Sequence, residues 1–199
     1  IVCLIITAAI SYHIASSQMS EKESEKAELL AERSAEEIDS WVNGYAYYLQ
    51  VAAGTLEAQK MTDFDQVAFY MKELIENHNE EEVIYDIYFT YADNRMAAGS
   101  GYMPDGTVDF TKRSWYEAAL EKDDVHYEAP YKDADSGRYV ITLSKKVSID
   151  GQVVGVLAED IFIDQVVEIV DQCEVEGKSY AMLIDQNLSL IHISEPTRQ

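Results

Sequence analysis

Within "TKRSWYEAAL", residues 111–120, Arg113, Trp115 and Tyr116 stand within four positions of one another. A guanidinium can hold a carboxylate by two parallel hydrogen bonds, and aromatic rings attract cations over their faces. Farther on, "YKDADSG" brings Tyr131 and Asp133, and "LAEDI" brings Asp160 at the end of an apolar run. Carboxylates beside aromatics suit an ammonium group. With Arg113 at one end and Asp133 and Asp160 at the other, the complementary ligand is a zwitterion, and an α-amino acid is the simplest of these.

Each of these residues also has a plainer reading. Arg113 can pair with any surface acid, at a gain of about 0–1 kcal/mol. Trp115 and Tyr116 also fit a core, and Tyr131 a turn. The run from Asp133 to Gly137 falls one ligand short of a calcium loop and reads as solvated turn acids. Spacing alone leaves these readings open.

The elements that position the residues are more legible. Ser114 and Glu117 have the S-x-x-E spacing of a capping box, which predicts a helix from Trp115 with Arg113 at its N-terminus. Ala27, Ala31, Ala35, Ile38, Val42, Tyr45, Leu49, Ala52 and Leu56 recur every three or four residues, one amphipathic helix over about 21–59 and on the order of 55–60 Å long. A second helix covers about 64–77, with Asp63 as its N-cap. Val83, Tyr85, Ile87, Phe89 and Tyr91 alternate onto one face of a strand, and a short strand near 96–99 follows. Two apolar strands flank Asp150-Gly151, a strong hairpin signal. "DQVVEIV" is helical, and 179–184 opens another strand. Helices followed by a mostly antiparallel sheet define an α+β fold.

Composition narrows the function. The chain has 37 acidic against 15 basic residues and a net charge of −22, which argues against nucleic acid as a partner. At 47% hydrophobic it can build a core. The two cysteines do not make a disulfide framework, and the four scattered histidines do not form a zinc site. No cofactor is implied. The enzymatic alternative pairs Asp133 with Asp160 as in glycoside hydrolysis, but it leaves the arginine and aromatics without a role.

Residues 1–18 read as the C-terminal part of a membrane-spanning helix, running out into Tyr12 and His13, which suit a membrane interface. Residues 19–60 read as a signalling stalk. At the far end, "LIHISEPTRQ" resembles a translated sequencing adapter, so residues 188–199 are set aside as a non-native tail.

The order of membrane segment, long helix, "RSWYEAA", "YKDADSGRYVITLSKKV" and "GVLAEDI" resembles the double Cache domain, the extracellular sensor module of bacterial chemoreceptors, histidine kinases and diguanylate cyclases. The resemblance covers about 19–185. It implies a PAS-like membrane-distal module over 61–175 and the start of a membrane-proximal one at 176–187. The expected protein is a homodimeric receptor that senses a small molecule outside the cell membrane without being an enzyme itself. An amino-acid-binding subgroup carries R-x-W-Y, then Y-x-D, then a later aspartate. By position these are Arg113, Trp115, Tyr116, Tyr131, Asp133 and Asp160. That subgroup also has a tyrosine five residues before the arginine, where this chain has Val108. Amine and organic-acid ligands therefore stay open, as does a structural ectodomain with no ligand.

Overall fold

A computed structural model describes residues 2–78, 82–133, 136–173, 181–184 and 190–193, with the backbone alone for 2–11 and 15. Helix α1 (Val2–Ala58) is a single helix of 57 residues, continuous through the expected boundary between membrane segment and stalk. Among the described residues no helix is long and apolar enough to cross a membrane. Helix α2 (Phe64–His78) begins where the sequence predicts, and the Asp63 carboxylate accepts the Gln66 N–H at 3.1 Å.

The chain divides into two compact units. One comprises residues 41–165 with 185–189, and the other 1–40, 166–184 and 190–199.

In the larger unit, strands β1 (Ile84–Tyr91), β2 (Met96–Ala98), β3 (His126–Tyr127), β4 (Tyr131–Lys132), β5 (Tyr139–Ile149) and β6 (Gln152–Phe162) form one antiparallel sheet in the order β2-β1-β6-β5-β3, with β4 also on β5. The β5–β6 hairpin turns at Asp150 and Gly151, whose φ angles of 52° and 79° suit a two-residue turn with both central residues left-handed.

One sheet face carries Ile87, Phe89, Leu143, Leu157 and Ile161 and is covered by Leu49, Ala52 and Leu56 of α1 and Val67 and Met71 of α2. All of these are buried, and each large one contributes about 1.5–3 kcal/mol. The other face carries Tyr88, Val156 and Ala158 beneath Trp115, Tyr116 and Ala119 of helix α3 (Ser114–Glu121).

Two sequence expectations need correction. The capping box does not form: Arg113 is itself the N-cap of α3, without a side-chain cap bond, and Ser114 is already helical. A 3-10 turn, Phe110–Lys112, capped by Asp109, delivers the chain one residue earlier than the motif implies. Tyr85 leaves the face shared by Ile87, Phe89 and Tyr91, because a bulge between Ile84 and Asp86 shifts the register, and its ring meets Phe162 at 5.3 Å.

In the smaller unit, the predicted strand appears as β7 (Met182–Ile184). It pairs antiparallel with β8 (Leu190–Ile193), which lies in the stretch set aside as a tail, where apolar Leu190, Ile191 and Ile193 suffice for pairing. The "DQVVEIV" segment is helix α4 (Asp164–Asp171).

Candidate functional site

The sheet register sets the site. Asp86, Asp160 and Thr142 stand side by side across β1, β6 and β5. In the next row on the same face are Tyr88, Ala158 and Ser144. The Ser144 hydroxyl donates to the Trp115 carbonyl at 2.9 Å, fixing the start of α3 above small Ala158. The Trp115 indole stands edge-on to the Tyr88 ring, 5.5 Å between centroids.

Asp160 is the centre of the polar group. Its Oδ1 accepts from the Thr142 hydroxyl at 2.6 Å and from the Tyr88 hydroxyl at 3.2 Å. Thr142 has one hydroxyl hydrogen, already donated, so the 3.0 Å contact between the Tyr131 and Thr142 oxygens is donated by Tyr131. The result is a relay from Tyr131 through Thr142 to Asp160. Burial pushes the Asp160 carboxyl up to about 7; the two hydroxyl donors pull it down, and Asp86 and Asp133 add to the rise.

Burial, followed by the Asp160 charge, raises the Tyr131 hydroxyl to about 12; Arg113 acts to lower it and Asp133 to raise it. Tyr131 therefore sits within the fields of all three charged residues that the sequence singled out.

The remaining predicted residues divide by environment. Arg113 is exposed. Asp133 is half-buried and structural in part, since its Oδ2 accepts the Ser136 N–H at 2.6 Å. Of the calcium-loop run, Ala134 and Asp135 lie outside the described residues. Tyr116 is buried against Trp115, and its hydroxyl is raised by burial and then by Asp109 and Asp93, away from the Asp160 group. The approach to Arg113 is pinned by Asn94, which donates to the Val108 carbonyl at 3.1 Å and accepts the Phe110 N–H at 2.8 Å.

Tyr88, Thr142, Asp86 and Ser144 escaped the sequence reading. Asp86 is buried and accepts the Ser100 N–H and hydroxyl at 3.0 and 2.6 Å. A cavity of about 650 Å³ opens elsewhere, at the β2 edge, lined by residues that include Phe64, Met96, Met103 and Val108 but none of the six predicted residues. Among the described residues no group of three His, Cys, Asp or Glu is placed to hold a metal.

The antiparallel sheet carries an acidic and aromatic cluster on one face and the long helix on the other. Residues 54–168, more than half of the 199, match the family described as methyl-accepting chemotaxis protein-like, first PDC sensor domain, and the chain belongs to that family. It is 35% identical over 81 residues to the methyl-accepting chemotaxis protein PscA of Pseudomonas syringae pv. tomato, covering 40% of this chain and only 13% of that protein. The sensory domain of the Campylobacter jejuni chemoreceptor Tlp3, solved with isoleucine bound, superimposes with a TM-score of 0.72 at 19% identity over 89% of this chain and 73% of that one. The ligand-binding domain of the Pseudomonas aeruginosa amino acid chemoreceptor PctC, in complex with GABA, gives 0.61 at 25% identity over 70% and 61%. The chain is a chemoreceptor sensor domain.

Proposed function

We propose that this sensor domain binds a small amino acid on the Asp160 face and serves a bacterial transmembrane receptor from outside the cell. The observation that carries the reading is the convergence of the Thr142 and Tyr88 hydroxyls on one oxygen of half-buried Asp160, with the Tyr88 ring in turn packed on Trp115. The Asp160 carboxylate takes the ligand ammonium, aided by Asp133. Arg113 takes the carboxylate, while Trp115 and Tyr131 form the walls and Tyr116 backs Trp115. Charge-assisted hydrogen bonds contribute about 1.5–3 kcal/mol each, so three or four support the ~8 kcal/mol of micromolar affinity after ordering costs. The amino acid and GABA in the two structural relatives support the same ligand class.

In this reading residues 1–18 anchor the chain in the membrane and α1 carries the signal as one of a pair in a homodimer. The stripe of Ala27, Ala31 and Ala35, exposed in the single chain, is available to that pairing. An amine ligand is the second reading, favoured by the exposure of Arg113, which leaves the carboxylate end of a ligand less firmly held than its ammonium.

Thermal-shift screening against amino acids, amines and organic acids tests both readings. A ligand at 100 times its dissociation constant adds about 2.7 kcal/mol, which is several degrees. Shifts with L-amino acids support the first reading and shifts with amines alone support the second. Silence across the whole panel returns the chain to a structural role.

A further inference from the structure

Glu159 precedes Asp160 on β6 and faces the opposite layer, toward α1 and α2. Its cross-strand neighbours are Ile87 and Leu143, and Leu157 and Ile161 flank it along the strand, all in the core that those helices cover. The residue is 0% exposed, and among the described residues neither carboxylate oxygen has a hydrogen-bond partner. A carboxylate so placed cannot stay ionised without compensation, and the usual resolution is uptake of a proton.

Tyr91, whose hydroxyl is also buried, lies in the same core cluster. From α1, Tyr48 feels the Glu159 charge; its hydroxyl is raised chiefly by burial and then by Glu159, and it donates to the Leu74 carbonyl at 3.3 Å and meets His78 Nδ1 at 2.6 Å. From α2, Tyr70 acts on Tyr48. Glu57, farther along α1, accepts the Ser148 N–H, and Tyr127 of β3 donates to Asn43 on α1. Lys145 of β5 directs its ammonium to the Asp123 carbonyl. The acid that acts on Glu159 directly is Asp160, on the other side of the strand.

We infer that Glu159 is carried as a neutral acid beneath α1, and that a cationic group arriving at Asp160 lowers the pH at which its proton passes to solvent, favouring a negative charge against the helix packed over it. The inference rests on the proposed seating of the ligand ammonium at Asp160. Burial first, and then the charge of Asp160, push the Glu159 carboxyl up to about 8. Cancelling the Asp160 charge removes the second cause and leaves the first, so the proton is lost at a lower pH. An ionised Glu159 needs a donor, and the Tyr48 hydroxyl is the α1 group within its field. Recruiting that hydroxyl away from Leu74 and His78 gives pocket occupancy a mechanical consequence on α1.

Infrared difference spectroscopy on the full chain tests this without knowing the ligand. Asp160→Asn stands in for the neutralised pocket. The expected result is a carbonyl band of a protonated carboxylic acid, present in the wild type at pH 7 and absent from Glu159→Gln, whose titration midpoint moves to lower pH in Asp160→Asn. Glu159→Met, apolar and of similar volume, is the second reference in case the glutamine variant does not fold. Absence of a Glu159-dependent band at pH 7, or a midpoint unchanged by Asp160→Asn, overturns the inference. Either result is independent of whether an amino acid binds, which the thermal-shift screen decides separately.

Discussion

Thr142 and Asp160 face each other across β5 and β6, and the threonine hydroxyl donates to the aspartate Oδ1 at 2.6 Å while accepting from Tyr131 at 3.0 Å. One hydroxyl thus ties a wall of the site to its floor. Thr142→Val keeps the shape and the β-branching but removes the link, leaving a half-buried carboxylate and a phenol each short of a partner. The expected cost is about 1–3 kcal/mol of stability by urea denaturation, together with weaker ligand binding. A valine variant as stable as the wild type would mean that the relay contributes nothing.

Asp160 sets the pH dependence. Its carboxyl is raised to about 7 and that of Glu159 to about 8, so the folded chain holds protons that the unfolded chain releases from about pH 4 upward. The stability from these two groups is full below that point and is lost as pH rises through about 7 and 8. Ligand binding runs the other way, because an ammonium needs Asp160 ionised, and affinity falls by up to about tenfold per unit below pH 7. Thermal unfolding between pH 5 and 8 should show the ligand-free melting temperature falling as the ligand-induced shift grows. Asp160→Asn should abolish the growth of the ligand-induced shift and weaken the fall in melting temperature, of which the Glu159 part remains, and trends unaltered by that substitution would move the titration elsewhere.

Arg113 separates the two ligand readings. It is exposed and makes no side-chain cap bond, so Arg113→Ala should change stability by no more than about 0.5 kcal/mol. If it holds the ligand carboxylate, amino-acid affinity drops by about 1.5–3 kcal/mol, the worth of a charge-assisted hydrogen bond, while affinity for a simple amine is preserved. Calorimetry with paired probes, L-alanine and ethylammonium for instance, reads the difference. Equal loss for both would assign Arg113 to the integrity of the pocket.

The sequence reveals what local chemistry dictates. Asp150 and Gly151 specify their turn by tolerating positive φ, and the spacing of Leu49, Ala52 and Leu56 marks the buried stripe of α1. Asp160 and Tyr131 stand out as polar groups beside apolar runs. Tyr88, Thr142 and Asp86 do not, because what makes them neighbours is pairing across strands separated by dozens of residues, and one bulge at Tyr85 decides which side of the sheet the start of β1 presents. Glu159 is invisible for a related reason: whether a carboxyl in "LAEDI" faces water or core depends on a register that no short window contains.

Two glycines provide opposite tests of the sheet and the helix. Gly155 lies opposite Tyr91 where β6 meets β1, and a Cβ there would sit 2.4 Å from the Thr90 carbonyl oxygen and 2.6 Å from Phe89 Cζ. Backbone and a fully buried ring cannot both yield, so Gly155→Ala should destabilise by about 1–3 kcal/mol or more. Gly44 lies within α1, exposed, with nothing within 4 Å of an added Cβ. There alanine lowers the entropy of the unfolded chain and improves helix propensity, a gain of about 0.5–1 kcal/mol. Chemical denaturation of the two variants should therefore move the midpoint in opposite directions. A Gly155→Ala chain as stable as the wild type would mean that β1 and β6 are not in the register that aligns Asp86, Asp160 and Thr142.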